Sequence, residues 1–420
     1  MNKLADDCFN QVEDLMSTAE ALAVLRDRIV TVTQDRLEQL PLAQAQGRIL
    51  AADVTSALDV PPHDNSAVDG YALRHEDLEP DGPTRLAVQG RSAAGHPFEG
   101  KVTAGQTVRI FTGAVMPTGA DTVVMQEDVE QVAGYLTIPP GLKLGANRRH
   151  QGEDTKQGDV VLRRGRRLRP QDLGLAASVG HGALTVYRPL KVGVFSTGDE
   201  LAEPGAALPV GSVYDANRQI LMALITGLGA EVSDLGILPD DADAVRAGLD
   251  GAAKTHDLLL TSGGVSVGDE DHVRGAVEAL GHLNFWRLAI KPGRPLALGQ
   301  VGGAAFVGLP GNPVAATVCF LRFARPLILG LAGAVDLDPV LYRVTADFDY
   351  EKKAGRREWL RARLDCAAGR GPRAVLFRPL GSGIINSLVQ THGLVEIPED
   401  VTQVKAGEPV DFLSFDEVAS

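Results

Sequence analysis

The chain has 420 residues, 44% of them hydrophobic and 23% charged, and a formal net charge of −13. It is too long for one ordinary core, so roughly two to four domains are expected. The balance is that of a soluble globular protein, and the negative charge argues against general nucleic-acid or anionic-membrane binding.

Apolar spacing predicts helices over Asp14 to Val30 and Leu37 to Ala52. From 57 to 145 Pro, Gly and Thr rise and short β-type runs such as Arg85 to Gln89 and Thr107 to Phe111 suggest a β-rich insertion. Residues 146–188 are mixed and Arg-rich, with a helical patch at Gln171 to Val179. From 189 to 335 strand and helix alternate. Strands are expected at Leu190 to Phe195, Glu231 to Leu238, Asp257 to Thr261, Leu283 to Ile290 and Ala304 to Gly308. Helices are expected at about Asn217 to Leu228, Asp241 to Ala253, Asp271 to Leu280 and Pro313 to Leu331. This rhythm predicts a doubly wound, mostly parallel sheet. Residues 336–420 return to short β-runs, Leu341 to Asp349 and Trp359 to Leu364 among them, and suggest a small barrel or sandwich. The domains so read are 1–56 together with 146–188 (helical/mixed), 57–145, 189–335 and 336–420.

Ligands of open α/β sheets bind at the carboxyl ends of the strands. Five loops fall there: Ser196-Thr-Gly-Asp-Glu200, Pro239 to Asp241, Ser262 to Asp271, Lys291-Pro-Gly-Arg294 and Leu309-Pro-Gly-Asn-Pro313. In the first, Thr197, Gly198 and backbone amides suit an anion and Glu200 a cation, against the plain alternative of a turn with an acidic cap. The Ser262 loop joins a Gly-rich oxyanion cradle to Asp269, Glu270 and Asp271, suited to a hard cation. Its Gly264-Val-Ser-Val-Gly268 string also matches a serine-hydrolase elbow, but the strand ends near Thr261, too early for that geometry. Lys291 and Arg294 supply cations for an anionic substrate that an acidic chain would otherwise repel, or are solvated bases of a turn. Asn312 and Pro313 fit an N-cap and first helical position, with the positive helix end available to an anion. Asp64 to Tyr71 is a candidate site loop. The run Arg163 to Arg169 reads as a solvated face or subunit contact. Arg357, Trp359, Arg361 and Arg363 fall on one face of a strand, as an anion-facing surface or a charged exposed edge.

Cys8, Cys319 and Cys366 are far apart and odd in number, which fits a reducing cytosol rather than a disulfide framework or zinc spacing. The His residues include no HxH or HExxH pair. The acidic start, Met1 to Cys8, has no signal-peptide core, and no run approaches the ~20 apolar residues of a membrane span. A cytoplasmic location is expected.

Taken together, Asp64-Asn-Ser-Ala-Val-Asp-Gly-Tyr71, Ile110-Phe-Thr-Gly-Ala114, Gly152-Glu-Asp154, Phe195 to Glu200, Ser262 to Gly268, Ile290 to Pro295 and Gly308 to Pro313 occur in one order. In that order the chain, from about residue 10 to its end, resembles the bacterial MoeA family of molybdopterin molybdenumtransferases, related to the gephyrin E-domain. The resemblance implies a reaction: adenylylated molybdopterin and molybdate, with Mg²⁺, give molybdenum-molybdopterin and AMP. Carried over by position, it implies Glu200 and Asp271 at the metal or reacting centre with Asp240 assisting. It implies Ser262, Gly263, Gly264 and Ser266 as the cradle for pterin phosphate or nucleotide. Lys291 and Arg294 would neutralise oxyanions, and Pro310 and Pro313 would shape the pocket floor, with Gly293, Gly311 and Asn312 in the same loops. Asp64, Thr112 and Asp154 would reach the site across a homodimer interface, and the adenylyltransferase that supplies the substrate is a possible partner. His63, Arg287 and Arg294 depart from the commonest residues of relatives, and His272 reads as a helix-start residue. The competing readings are a molybdopterin-binding sensor without turnover and a molybdopterin adenylyltransferase, the latter disfavoured by the flanking domains.

Overall fold

The structure is a computed structural model and describes residues 15–29, 36–264, 272–366 and 371–418. Its centre is a six-stranded sheet in the order Glu231–Leu238, Lys191–Thr197, Leu258–Ser262, Ala304–Leu309, Pro295–Val301 and Gly281–Arg287. The first four run parallel. Pro295–Val301, which the sequence reading did not separate from its neighbours, is antiparallel to both strands beside it.

The run Leu258-Leu-Leu explains why the sheet has helices on both faces. Successive side chains point to opposite sides, so Leu258 and Leu260 enter one core and Leu259 the other. The first core is covered by Thr18–Arg28, Ala216–Gly227 and the long helix from Pro313. The second is covered by Ala242–Ala253 and His272–Leu280. Near-continuous apolar strands are what a sheet buried on both faces requires.

The helix expected at Asp14 to Val30 is Thr18–Arg28, started by a Ser17/Glu20 capping box. Its Ala21 and Leu25 belong to the central core. The helix expected over Leu37 to Ala52 is absent. Leu37–Pro41 is a strand paired with Ala183–Tyr187, followed by one 3₁₀ turn at Leu42–Gln44. Pro41 and Gly47 interrupt the apparent helical period, and Gly47 sits at φ +75°. The apolar side chains of this stretch pack with those of 160–187. The helix over Pro313 to Leu331 is continuous but contains a π segment, Phe320–Ala324. Pro326 cannot donate a hydrogen bond to the carbonyl four residues before it, and a π-bulge just upstream absorbs that defect. Among the described helices it is the one long and apolar enough to cross a membrane, and it is buried throughout.

Residues 70–138 form a second six-stranded sheet, and the C-terminal strands close a barrel. There Arg357–Asp365, Arg373–Leu376, Tyr342–Ala346, Pro409–Ser414 and Gly393–Ile397 pair in turn, and the last returns to the first. Arg357–Asp365 therefore has a neighbour on each side, and the exposed-edge reading of its arginines is wrong. Trp359 and Arg361 are buried.

In the basic run Arg163, Arg164 and Arg169 are exposed, as a solvated face requires, while Arg166 and Arg167 are half-buried. Arg164 donates to Tyr187 Oη, Arg167 to the carbonyls of Gly47 and Gly227, and Arg166 pairs with Asp172. Burial raises the Asp172 pKa, but Arg166 and Arg169 outweigh it and hold the carboxyl below its usual range. Because its native pKa lies below the unfolded value, Asp172 stabilises the fold above about pH 4, and that contribution is lost as pH falls further. The melting temperatures of wild type and Asp172→Asn are expected to converge as pH is lowered from 6 towards 3. A gap that stays constant over that range would contradict the assignment.

Candidate active site at the strand ends

The sheet register sets Ser196 beside Ser262, and Ser262 beside Leu309. The loops that follow these strands are therefore neighbours. The Gly263 N–H donates to Leu309 O at 3.0 Å. Ser262 Oγ donates to Pro310 O at 3.1 Å and accepts from Asn217 Nδ2 at 2.7 Å, and Asn217 Nδ2 also donates to Gly311 O at 2.6 Å. The Ser262 hydroxyl is thus engaged in bracing the Pro310 loop rather than free for a ligand. Asn217, which no sequence motif singles out, ties the Ser262 and Pro310 loops together. Its only sequence signal is a polar residue at the start of a helix, Ala216–Gly227, that follows the first strand.

Small residues make this packing possible. Gly263 and Gly264 lie at φ +87° and +63°. A Cβ on Gly264 would stand 2.6 Å from Thr197 Cγ2, and one on Gly198 would collide with the Glu200 carboxylate. The Glu200 side chain therefore folds over Gly198 just past the end of the strand Lys191–Thr197. Glu200 and Asp240 are exposed, and neither forms an ion pair among the described residues. Beneath them the hydroxyls of Ser196, Thr197 and Thr261 are buried without hydrogen-bond partners. Such orphans are uncommon in folded proteins. Ser266 and Asp271 lie outside the described residues, and so do the other two acids of that loop. Among the described residues no three His, Cys, Asp or Glu side chains group closely enough to hold a metal. The donor chemistry does fit Mg²⁺, which takes hard oxygen ligands, keeps several waters and commonly uses only one or two carboxylates with substrate phosphate.

The Lys291 loop reaches the same end of the sheet. Gly293, at φ +85°, packs where a Cβ would be 2.8 Å from Cys319 Sγ and 3.3 Å from Pro310 Cγ. The loop is thereby pressed against the long helix and the Pro310 turn. Burial pushes the Cys319 thiol up to about 12, so it is a packing residue. Between this loop and the barrel lies a cleft of about 350 Å³ whose lining includes Lys291, Arg294, Arg356 and Arg361. Arg361 is held by Ser387 Oγ at 3.0 Å and Gly381 O at 2.9 Å. Arg294 is exposed. Arg356 and Arg361 come from the barrel strand and the residue before it. Sequence alternation drew attention to Arg361 but did not connect it with Lys291.

Asn312 occupies the N-cap position, but its side chain makes no capping bond. The Val314 N–H instead donates to Ser382 O at 3.0 Å, so a carbonyl of the C-terminal domain meets the helix end proposed for an anion. Pro313 takes the first helical position as expected.

Asp64, Thr112 and Asp154 are held away from these loops, each by its own partners. Asp64 accepts from the Gln151 N–H at 2.8 Å and pairs with Arg148. Burial raises its pKa, but the Gln151 amide and Arg148 outweigh this and lower it. Thr112 donates from both N–H and Oγ1 to Asp69, at 2.7 and 2.8 Å. These bonds hold the Asp69 carboxyl below its usual range. The Asp154 N–H donates to Val60 O at 3.0 Å, and the Met116 N–H to Asp64 O at 2.8 Å. None of these bonds reaches Glu200, Ser262 or Lys291.

Comparison with known proteins covers the same three regions. Residues 16–180 match the family described as the MoeA N-terminal region (domain I and II). Residues 193–330 match the "Probable molybdopterin binding domain", and residues 343–415 the MoeA C-terminal region (domain IV). The molybdopterin molybdenumtransferase of Haemophilus influenzae is 40% identical over 406 residues, covering 93% of this chain and 100% of that protein. The molybdopterin molybdenumtransferase 2 of Mycobacterium tuberculosis is 37% identical, covering 88% and 92% respectively. A crystal structure of the molybdopterin biosynthesis moeA protein from Pyrococcus horikoshii superposes with a TM-score of 0.78 at 30% identity, covering 96% of this chain and 100% of that one.

Proposed function

This chain belongs to the MoeA family of molybdopterin molybdenumtransferases, and from that premise we propose that it converts adenylylated molybdopterin and molybdate into molybdenum-molybdopterin and AMP. One observation supports this reading above the others. In an acidic protein, four cationic side chains, Lys291, Arg294, Arg356 and Arg361, converge on one cleft beside the Gly-rich strand ends. Both substrates are oxyanions, and the phosphoanhydride gains charge on its leaving oxygens as it breaks. Fixed cations there stabilise that charge without reorganising.

The division of labour we propose draws on these contacts. The Gly198, Gly263 and Gly264 backbone lets a phosphate approach closely. Asn217 and Ser262 keep that cradle registered against the Pro310 loop. Lys291 and the arginines receive the tetrahedral oxyanion. Glu200, with Asp240 and Asp271, would hold Mg²⁺, which when bound neutralises phosphate charge and polarises the bond to be cleaved. Asp64, Thr112 and Asp154 would complete the site from a second subunit of a cytoplasmic homodimer, which accords with their hydrogen bonds reaching none of the strand-end loops.

The test is AMP release from adenylylated molybdopterin, with Mg²⁺ and molybdate supplied or omitted. Release that depends on both supports the transferase. Binding without turnover points to a sensor, and consumption of ATP with free molybdopterin to adenylyltransfer. Asn217→Ala is expected to raise KM for the pterin nucleotide by up to about 30-fold, since two hydrogen bonds that register the cradle are lost, each worth about 1 kcal/mol. An unchanged KM would remove Asn217 from the site.

A further inference from the structure

The short strand Ile290–Lys291 joins the barrel in parallel with Arg357–Glu358, and this register sets Lys291 directly beside Glu358. Lys291 belongs to the α/β domain and Glu358 to the barrel, so the pair spans two domains. Glu358 is 1% exposed, and its carboxylate is ringed by donors. Tyr350 Oη donates to it at 2.5 Å and Lys291 Nζ at 3.3 Å, while Arg356 Nη2 stands 3.8 Å from its other oxygen. Lys291 Nζ also donates to Tyr350 Oη at 3.4 Å. Burial and the Glu358 carboxylate push the Tyr350 phenol well above its ordinary range, so it remains a protonated donor.

A carboxylate this deeply buried is costly unless such partners surround it. Two of those partners line the cationic cleft. We infer that Glu358 is a positioning residue for the oxyanion cleft: with Tyr350 it holds Lys291 Nζ and the Arg356 guanidinium at the rim before substrate arrives. An ammonium has three N–H donors; Glu358 and Tyr350 take two and leave the third for a tetrahedral oxyanion. This inference rests on the reading that the cleft receives the oxyanion substrate.

Two effects of Glu358 oppose each other. Its charge repels an anion, and its bonds immobilise a long, flexible side chain. Lys291 and Arg356 already compensate the charge, whereas ordering a free lysine costs binding energy each time a ligand is captured. Positioning therefore dominates, and loss of the carboxylate weakens the cleft.

The experiment is calorimetric titration of inorganic molybdate into the full-length protein, with AMP release followed in parallel. Wild type, Glu358→Gln, Lys291→Met and the double variant form a cycle. Glu358→Gln is expected to weaken molybdate about 10-fold in the wild-type background and only about 2-fold, through Arg356, in the Lys291→Met background. Tyr350→Phe, which leaves the carboxylate in place, is expected to weaken molybdate about 3-fold, and only when Lys291 is present. A full-size Glu358→Gln penalty in the Lys291→Met background, or binding as tight as wild type, overturns the inference while AMP release by wild type keeps the functional reading. A wild type that neither binds molybdate nor releases AMP overturns both.

Discussion

Glu200→Ala is expected to lower molybdate-dependent AMP release at least ~10²-fold, in line with the loss of a preorganised electrostatic contact to the reacting centre. The fold should be untouched. Glu200 is exposed just past the end of the strand Lys191–Thr197, its carboxylate forms no ion pair among the described residues, and surface substitutions of that kind usually lie within about 0.5 kcal/mol. Its backbone carbonyl, which accepts from the Val213 N–H at 2.7 Å, is unaffected by truncation. Activity and stability therefore separate: AMP release collapses while the melting curve and far-UV circular dichroism match wild type. Asp271→Ala serves as the companion. Near-normal rates in both variants would sink the placement of the reacting centre at these strand ends.

The largest effect on stability is expected at Glu396. This residue is 4% exposed and sits on the barrel strand Gly393–Ile397. Its carboxylate pairs with Arg357 Nη1 at 2.6 Å, accepts from Trp359 Nε1 at 2.8 Å and lies 3.5 Å from Arg322 of the long helix. Arg322 is itself 8% exposed and has two guanidinium nitrogens without partners. Burial already lowers its pKa. Glu396→Ala leaves that cation buried without its paired carboxylate, which typically costs about 3–5 kcal/mol. Glu396→Gln keeps an acceptor for Trp359 and should cost less. Urea unfolding followed by tryptophan fluorescence reads the difference, and a Glu396→Ala penalty below about 1 kcal/mol would show that Arg322 does not depend on this carboxylate. Arg322 and Glu396 belong to different domains, so the pair fixes how the barrel sits against the long helix. The same barrel face carries Trp359 and Arg361, and both line the cleft.

The α/β core was readable because its signals are strong and local. Leu258-Leu-Leu-Thr-Ser262 is a run that only a doubly covered strand accommodates, and Gly or Pro punctuates each loop that follows a strand. The helix expected at Leu37 to Ala52 shows the opposite case. Its apolar spacing fits a helix, yet pairing with Ala183–Tyr187, more than a hundred residues away, decides a strand. No local pattern contains that partner. Asn312 and Ser262 illustrate a subtler limit. Their positions in the fold were as expected, but the atoms their polar groups touch, or leave untouched, come from Ser382, Pro310 and Asn217.

By itself the sequence determined most of the element order of the central domain, Pro295–Val301 excepted, and the loops at its strand ends with the residue types in them, because periodicity and turn chemistry are properties of contiguous residues. Its motifs in series also pointed to the MoeA family. Tertiary structure alone decided which charges meet. Lys291 faces Glu358, Arg356 and Arg361 because a two-residue strand of one domain adds to the barrel of another. Arg164, Arg166 and Arg167 became braces because Tyr187, Asp172 and the Gly227 carbonyl stand where the folded chain brings them. Charge pairing acts through distance in space, and the spacing of these residues along the chain carries no record of it.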